Sequence, residues 1–155
     1  MKTETIILAA GCFWHVEKEF SKIPGVIETT VGYTGGKTKD PSYEKISSGK
    51  TGHAEAIKII FNPKKISFEN ILSKFWTIHN PTSLNRQGPD VGTNYRSAIF
   101  YITEKQKTEA EKSKKKFQEM FDKPIVTEIL KASEFYPAEE YHQRYFDKNN
   151  FSCQI

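Results

Sequence analysis

The stretch ILAAGCFWHVE, from Ile7 to Glu17, constrains the fold more than any other part of the chain. Ile6 to Ala10 is a short continuous apolar run, the pattern of a buried central strand. After Gly11 the period changes. Phe13, Val16 and Phe20 recur at helical spacing, so Cys12 opens a helix directly after a strand. Free N–H groups and the helix dipole at such a place stabilise a thiolate and lower a thiol's pKa. The alternative role is that of a small buried hydrophobe. A lipid-accepting cysteine of a secretion signal is not expected. The apolar segment has five residues against roughly 7–15 for such a signal, and Glu4 stands where the flank should be positive.

The rest of the chain alternates between strand and helix patterns. GVIETTVGY (25–33) and HAEAIKIIF (53–61) read as strands, as do YRSAIFYI (95–102) and a last strand, IVTEIL (125–130). SFENILSKFWTIH places Phe68, Ile71, Leu72, Phe75 and Trp76 on one helical face. Residues 104–122 form a charged amphipathic helix with Ala110, Phe117, Met120 and Phe121 facing inward. The order is neither a strict βαβ alternation nor a nucleotide-binding glycine fingerprint. It implies an α/β (α+β) fold: a two-layer domain with a mixed sheet and an irregular C-terminal tail, one domain over residues 1–155. Two long polar connections, 34–52 and 80–94, are expected to carry a site, because loops of that length in a compact domain are functional or disordered.

Composition narrows the function. The net charge is +4, but the basic run EKSKKKF lies in a helical pattern with acidic neighbours, a solvated face rather than a nucleic-acid surface. No apolar run nears the roughly 18 residues of a membrane span. The two cysteines, Cys12 and Cys153, are too few for a disulfide framework or a four-thiolate zinc site, and no His pair has ligand spacing, so no metal is expected. A cytoplasmic location follows, where thiols stay reduced unless a catalytic cycle oxidises them.

Glu55 shares strand parity with Ile57, Ile59 and Phe61, so period-2 geometry puts its carboxyl on an apolar face. Desolvation there raises its pKa and suits it to act as a general acid; a Glu at the strand end bending out to solvent is the alternative. Trp14 leaves the core stripe that Phe13 joins, and is placed to wall an apolar pocket or to pack on a loop. His79 continues the stripe of its helix, a core or helix-end histidine. Tyr43, Asp90 and Tyr95 lie in or at the ends of the two long loops. Cys153 sits two residues from the end of the chain, where a second thiol could reach the first.

The chemistry of Cys12 can be screened. No Arg follows six positions after it, as a thiol phosphatase requires, and no C-x-x-C is present. A cysteine hydrolase with His53, His79 or His142 as base stays open, as does a non-catalytic module that binds oxidised or Met-rich peptides. A thiolate with a neutral carboxylic acid and a remote second thiol suits reduction of an oxidised substrate.

GCFW at 11–14, GYTGG at 32–36, PSY at 41–43, TGHAE at 51–55, FW at 75–76, RQGPDVGTNYRSAI at 86–99, TEI at 127–129 and YHQRY at 141–145 together resemble the peptide-methionine (S)-S-oxide reductases, the MsrA family. The resemblance runs in order through nearly the whole chain. It implies a ferredoxin-like plait and reduction of methionine (S)-sulfoxide, free or in oxidised proteins. Cys12 would attack the sulfoxide sulfur, Glu55 would supply the proton, and Tyr43 and Tyr95 would hydrogen-bond the oxygen. Phe13 and Trp14 would hold the substrate methyl group, and Asp90 would contact the substrate backbone. Cys153 would then form a disulfide with Cys12, reduced by thioredoxin or another dithiol such as dithiothreitol. No cofactor beyond that reductant, no nucleic acid, no membrane and a monomer are implied. The chain departs from the family pattern at His15, where Gly is usual, at Asn80 and Asn94, and in a short tail with no second recycling cysteine.

Overall fold

The computed structural model describes residues 2–149. The first run forms β1 (Glu4–Ala10) and leads through Gly11 and Cys12 into α1 (Phe13–Ser21). Strand β2 (Val26–Thr34) follows, then a short helix α2 (Tyr43–Ser47), β3 (Ala54–Phe61) and α3 (Phe68–Thr77). The connection to β6 (Ser97–Tyr101) holds a two-residue hairpin, β4 (Arg86–Gln87) and β5 (Asp90–Val91), and a 3-10 turn at Thr93–Tyr95. Helix α4 (Glu104–Gln118), β7 (Glu128–Lys131), β8 (Phe135–Pro137), a 3-10 turn at Glu140–His142 and α5 (Tyr145–Asn149) complete the described chain.

The main sheet has the order β7-β6-β1-β3-β2-β8. Only the β6–β7 pair is parallel; the other neighbours are antiparallel. The four central strands run β6-β1-β3-β2, with α1 joining β1 to β2 and α3 joining β3 to β6. That is the βαββαβ arrangement of a ferredoxin-like plait, widened by one strand at each edge. The sheet is mixed because β7 returns through the α4 crossover, which forces a parallel pairing.

One face of the sheet meets the helices. Ile6, Leu8 and Ala10, with Val31, Ile57, Ile59, Phe61 and Ile99, pack against Phe13, Val16 and Phe20 of α1 and Ile71, Leu72, Phe75 and Trp76 of α3. Each large side chain buried there stabilises the fold by about 1.5–3 kcal/mol. The opposite face is lined by Ile7, Ala9, Ala54, Ala56, Ala98 and Phe100, with Ala132 and Phe135 against them. Its alanines let the chain after β7 approach closely.

Three expectations change. The two long connections contain short regular elements: α2 in the first, and the hairpin and 3-10 turn in the second. Strand β7 is not the last, since β8 pairs with β2 on the far edge. Met120 does not face inward; it is 70% exposed. Helix α4 ends at Gln118, and the Met120 N–H bonds the Phe117 carbonyl in a tighter turn, so the helical phase that would carry Met120 inward is lost. Phe117 and Phe121 remain partly buried against the core.

Candidate active site

The antiparallel β1–β3 ladder reaches Leu8–Ile57, and two residues further along each strand lie Ala10 and Glu55, at the same end of the sheet. Gly11 turns the chain there with φ +93°, where a Cβ would come within 2.9 Å of the Gln87 side chain. The turn therefore needs Gly on two counts. Cys12 follows as the residue that caps α1, with φ −56° and ψ 117°, and its side chain is half-buried. Its carbonyl accepts the first helical bond from Val16 N–H.

Glu55 reaches this helix start from the neighbouring strand. Its residue is 2% exposed, and Oε1 accepts the N–H of Phe13 at 3.2 Å. Burial pushes its pKa up to about 8; the Phe13 N–H pulls the other way, and the charge of Asp90 adds to the rise. Asn94 comes near the same carboxyl and also opposes the rise, without completing a hydrogen bond of normal geometry, so Oε2 is left unpaired among the described residues. A buried carboxyl with one oxygen accepting from the backbone and the other unpaired carries its proton at neutral pH.

The aromatic groups surround this pair. Tyr43 opens α2 and Tyr95 ends the 3-10 turn, both half-buried. Burial raises both phenol pKa values, and the Glu55 and Cys12 charges raise them further, so both stay protonated as donors. Asp90, on β5, is partly buried, and burial raises its pKa. Phe13 is a core residue, 1% exposed, with its ring 5.7 Å from Tyr33 and 5.2 Å from His142. Trp14 is half-buried. Its indole N–H donates to Nδ1 of His142 at 2.9 Å, and the Tyr145 ring stacks on it at 3.8 Å.

The structure therefore brings Cys12, Phe13, Trp14, Tyr43, Glu55, Asp90 and Tyr95 to one end of the sheet. Cys153 lies outside the described residues. His15 turns toward Ile78, Glu19 and Lys74, and burial lowers its pKa. His79 bonds the Phe75 carbonyl through Nδ1 and the Ser97 hydroxyl through Nε2, each at 2.7 Å. The residue is partly exposed to solvent, yet both ring nitrogens are engaged, and burial of the ring takes its pKa down to about 4.

These bonds bear on the hydrolase alternative. His53 accepts Gly36 N–H at Nδ1 and donates from Nε2 to the Thr38 carbonyl. His142 accepts from Trp14 at Nδ1, so Nε2 carries its proton. His79 accepts from Ser97. No lone pair on any of the three rings is left for general-base catalysis.

Four residues that sequence reasoning did not assign to the site lie around it. Glu139 accepts the Tyr33 hydroxyl at 2.9 Å and the Tyr43 N–H at 3.0 Å. The Gln143 amide bonds both N–H and C=O of Val31 at 2.9 Å, continuing the β2 edge where β8 stops. Asn94 lies beside Glu55, and Tyr145 covers Trp14. Their partners are remote in sequence; the RQGPDVGTNYRSAI and YHQRY stretches span Asn94, Gln143 and Tyr145, and nothing in the sequence signalled Glu139.

The chain is similar to known proteins along nearly its whole length. The family model described as peptide methionine sulfoxide reductase matches residues 4–155. The peptide methionine sulfoxide reductase MsrA of Methanosarcina acetivorans is 53% identical over 154 residues, 98% of this chain and 82% of that protein. The reduced form of Mxr1 from Saccharomyces cerevisiae superposes with a TM-score of 0.94 at 38% identity, over 99% of this chain and 89% of that one. The same yeast protein in complex with Trx2 matches with a TM-score of 0.68 at 28% identity, over 93% and 85% of the two chains. Among the described residues no helix is long and apolar enough to cross a membrane, and no cluster of His, Cys, Asp or Glu is placed to hold a metal ion. With sequence, fold and the matched span all in agreement, the chain belongs to the peptide methionine sulfoxide reductase family.

Proposed function

We propose that this enzyme reduces the S epimer of methionine sulfoxide, free or in oxidised proteins, with Cys12 as nucleophile and Glu55 as general acid. The observation that carries the assignment is the Glu55 carboxyl, protonated by burial and with Oε2 unpaired, anchored to the first N–H of the helix that Cys12 caps. The Cys12 thiolate attacks the sulfoxide sulfur. Glu55 protonates the oxygen as the sulfur–oxygen double bond gives way, while the Tyr43 and Tyr95 hydroxyls hold that oxygen by hydrogen bonds. Oxygen is transferred to Cys12, which becomes a sulfenic acid, and methionine leaves. Trp14, with Phe13 behind it, supports the substrate methyl group, and Asp90 contacts the substrate backbone.

The Cys153 thiol then condenses with the sulfenic acid, releasing water and forming a Cys12–Cys153 disulfide. A dithiol takes that bond back to two thiols and is itself oxidised to a disulfide. Thioredoxin is the reductant proposed here, supported by the Trx2 complex of the yeast relative; dithiothreitol serves in its place in vitro. No resident cofactor is needed, because the electrons come from thiols.

The test is turnover of resolved sulfoxide epimers with dithiothreitol, followed by mass spectrometry after one turnover without reductant. The S epimer alone should yield methionine, and the protein should lose two mass units. Conversion of the R epimer at a similar rate, or a persistent sulfenic acid in place of the disulfide, would overturn the assignment.

A further inference from the structure

Helix α1 carries a second buried carboxylate that the reaction does not use. Glu17 is 2% exposed. Its Oε2 accepts the Thr29 hydroxyl at 2.7 Å, and its Oε1 accepts the backbone N–H of Arg144, 127 positions away, at 2.6 Å. Burying a carboxylate is unfavourable unless its oxygens are hydrogen-bonded, and here both are.

Glu17 does not stand alone. Trp14, Glu17 and Lys18 share one face of α1 by their spacing, away from the core stripe of Phe13, Val16 and Phe20. That face receives three consecutive residues at the start of α5. Arg144 N–H meets Glu17, the Tyr145 ring stacks on Trp14 with planes 8° apart, and the Lys18 ammonium sits 5.3 Å from the centre of the Phe146 ring. Arg144 has φ +53°, a left-handed conformation that is unfavourable for a residue with a Cβ. The contact with Glu17 offsets that cost and aims the N–H.

We infer that Glu17 is a positioning residue: it docks the start of α5 on α1, keeping Tyr145 over Trp14 and fixing the point from which the chain runs on to Cys153. The inference rests on the reading that Cys153 resolves the sulfenic acid. Phe146, the last residue that meets α1, stands seven positions before Cys153 in sequence, and Gln143, the residue tied to β2, stands ten; the Lys148 bonds to Glu140 lie within the segment itself and do not join it to α1. Loop closure becomes less probable as the three-halves power of length, so losing the dock should slow disulfide formation about twofold, and more if direction is also lost.

The experiment follows both steps in one turnover, at saturating methionine (S)-sulfoxide without reductant, in wild type, Glu17→Gln and Glu17→Ala. Methionine release reads the first step, which itself consumes the Cys12 thiol, and loss of the second thiol, Cys153, reads the second. Methionine release should be unchanged. Loss of the second thiol should slow at least about twofold in Glu17→Ala and less in Glu17→Gln, whose amide oxygen can still accept the Arg144 N–H. Hydrogen exchange of residues 144–149 should quicken in Glu17→Ala while β2 keeps its protection. Unchanged loss of the second thiol, an equal fall in both steps, or unchanged exchange in 144–149 would each overturn the inference. If Glu17→Ala does not fold, Glu17→Gln and Thr29→Val carry the same comparison. Cys153→Ser separates the two readings: it should lose disulfide formation in every background. If wild type itself forms no Cys12–Cys153 bond, the Cys153 reading fails, and the exchange comparison alone decides whether Glu17 docks α5.

Discussion

The two halves of the site are held in different ways. Cys12 and Glu55 stand at the ends of β1 and β3, central strands paired on both sides, with Glu55 directly opposite Tyr33 of β2. Their positions follow from a cooperative ladder and a shared core. The segment from 139 to 146 has no ladder beyond β8. It is held by side chains instead: Glu139 to Tyr33 and Tyr43, His142 to Trp14, Gln143 to Val31, and Glu17 to the Arg144 N–H. A region tied by separate bonds opens more readily than a paired strand. The groups proposed to make and break bonds thus sit where the fold is least adjustable, and the segment that precedes the proposed resolving thiol sits where it can yield.

This contrast predicts a graded response to substitution. The largest effect belongs to Cys12→Ser. A serine hydroxyl is far less nucleophilic than a thiolate at neutral pH, so methionine formation should be abolished while the fold persists. Even one methionine per enzyme in a single-turnover assay would remove Cys12 from its role.

Glu55→Gln comes next, with a loss of roughly 10²–10⁴-fold in the chemical step, the usual contribution of a general acid. Because the acid form is active and its pKa is about 8, the wild-type single-turnover rate should be flat through neutrality and fall above that value. The same shift affects stability with a definite sign. Between pH 4.5, the ordinary glutamate value, and about 8, the folded state binds the proton and the unfolded state does not. Stability therefore falls as pH rises through that window. Glu55→Gln lacks this slope, so its advantage over wild type should grow to roughly 3–5 kcal/mol by pH 9, measured by denaturant melts at pH 5 and pH 9. Parallel pH profiles for the two proteins would mean that Glu55 is ionised in the fold.

A smaller effect is expected in the segment held by side chains. In Glu139, burial pushes the pKa up, but the Tyr43 N–H and the Tyr33 hydroxyl outweigh it, so the carboxylate is ionised and pins Tyr43. Glu139→Ala should lower kcat/KM for the S epimer by roughly tenfold or less and reduce stability by about 1–2 kcal/mol. Equal losses in Glu139→Ala and in a Tyr43→Phe, Glu139→Ala double variant would show that Glu139 acts through Tyr43. Additive losses would show two independent roles.

The same contrast governs what could be read without a structure. Cys12 was legible because the period changes from 2 to 3.6 beside it, and Glu55 because one carboxylate interrupts an apolar parity. Both signals come from long, regular elements. Helix α2, the β4–β5 hairpin and β8 have two to five residues each, too few for a period to form. Glu139, Gln143 and Arg144 bond partners about a hundred positions away, and no local pattern records such a pairing. Met120 failed for a local reason: the helical phase was carried past the residue where α4 ends.

The smallest effect should come from His15, although it is the departure nearest the thiol in sequence. A charged imidazole there could lower the Cys12 pKa, and its place one residue after Trp14 suggests a pocket rim. The structure directs it elsewhere. Residues 14, 17 and 18 face α5, residues 13, 16 and 20 face the core, and His15 falls on a third side of α1, toward the end of α3 at Ile78. Burial lowers its pKa despite the opposing charge of Glu19, so the ring is neutral at pH 7 and brings no positive charge to the thiol. His15→Ala should leave the pH dependence of Cys12 alkylation and the single-turnover rate unchanged. Alanine is the right substitution because Gly would add a backbone entropy loss of about 1 kcal/mol to the helix and confuse the result. A measurable rise in the pH midpoint of Cys12 alkylation in His15→Ala would mean that the ring is charged and coupled to the thiol, and the third side of α1 would then belong to the site.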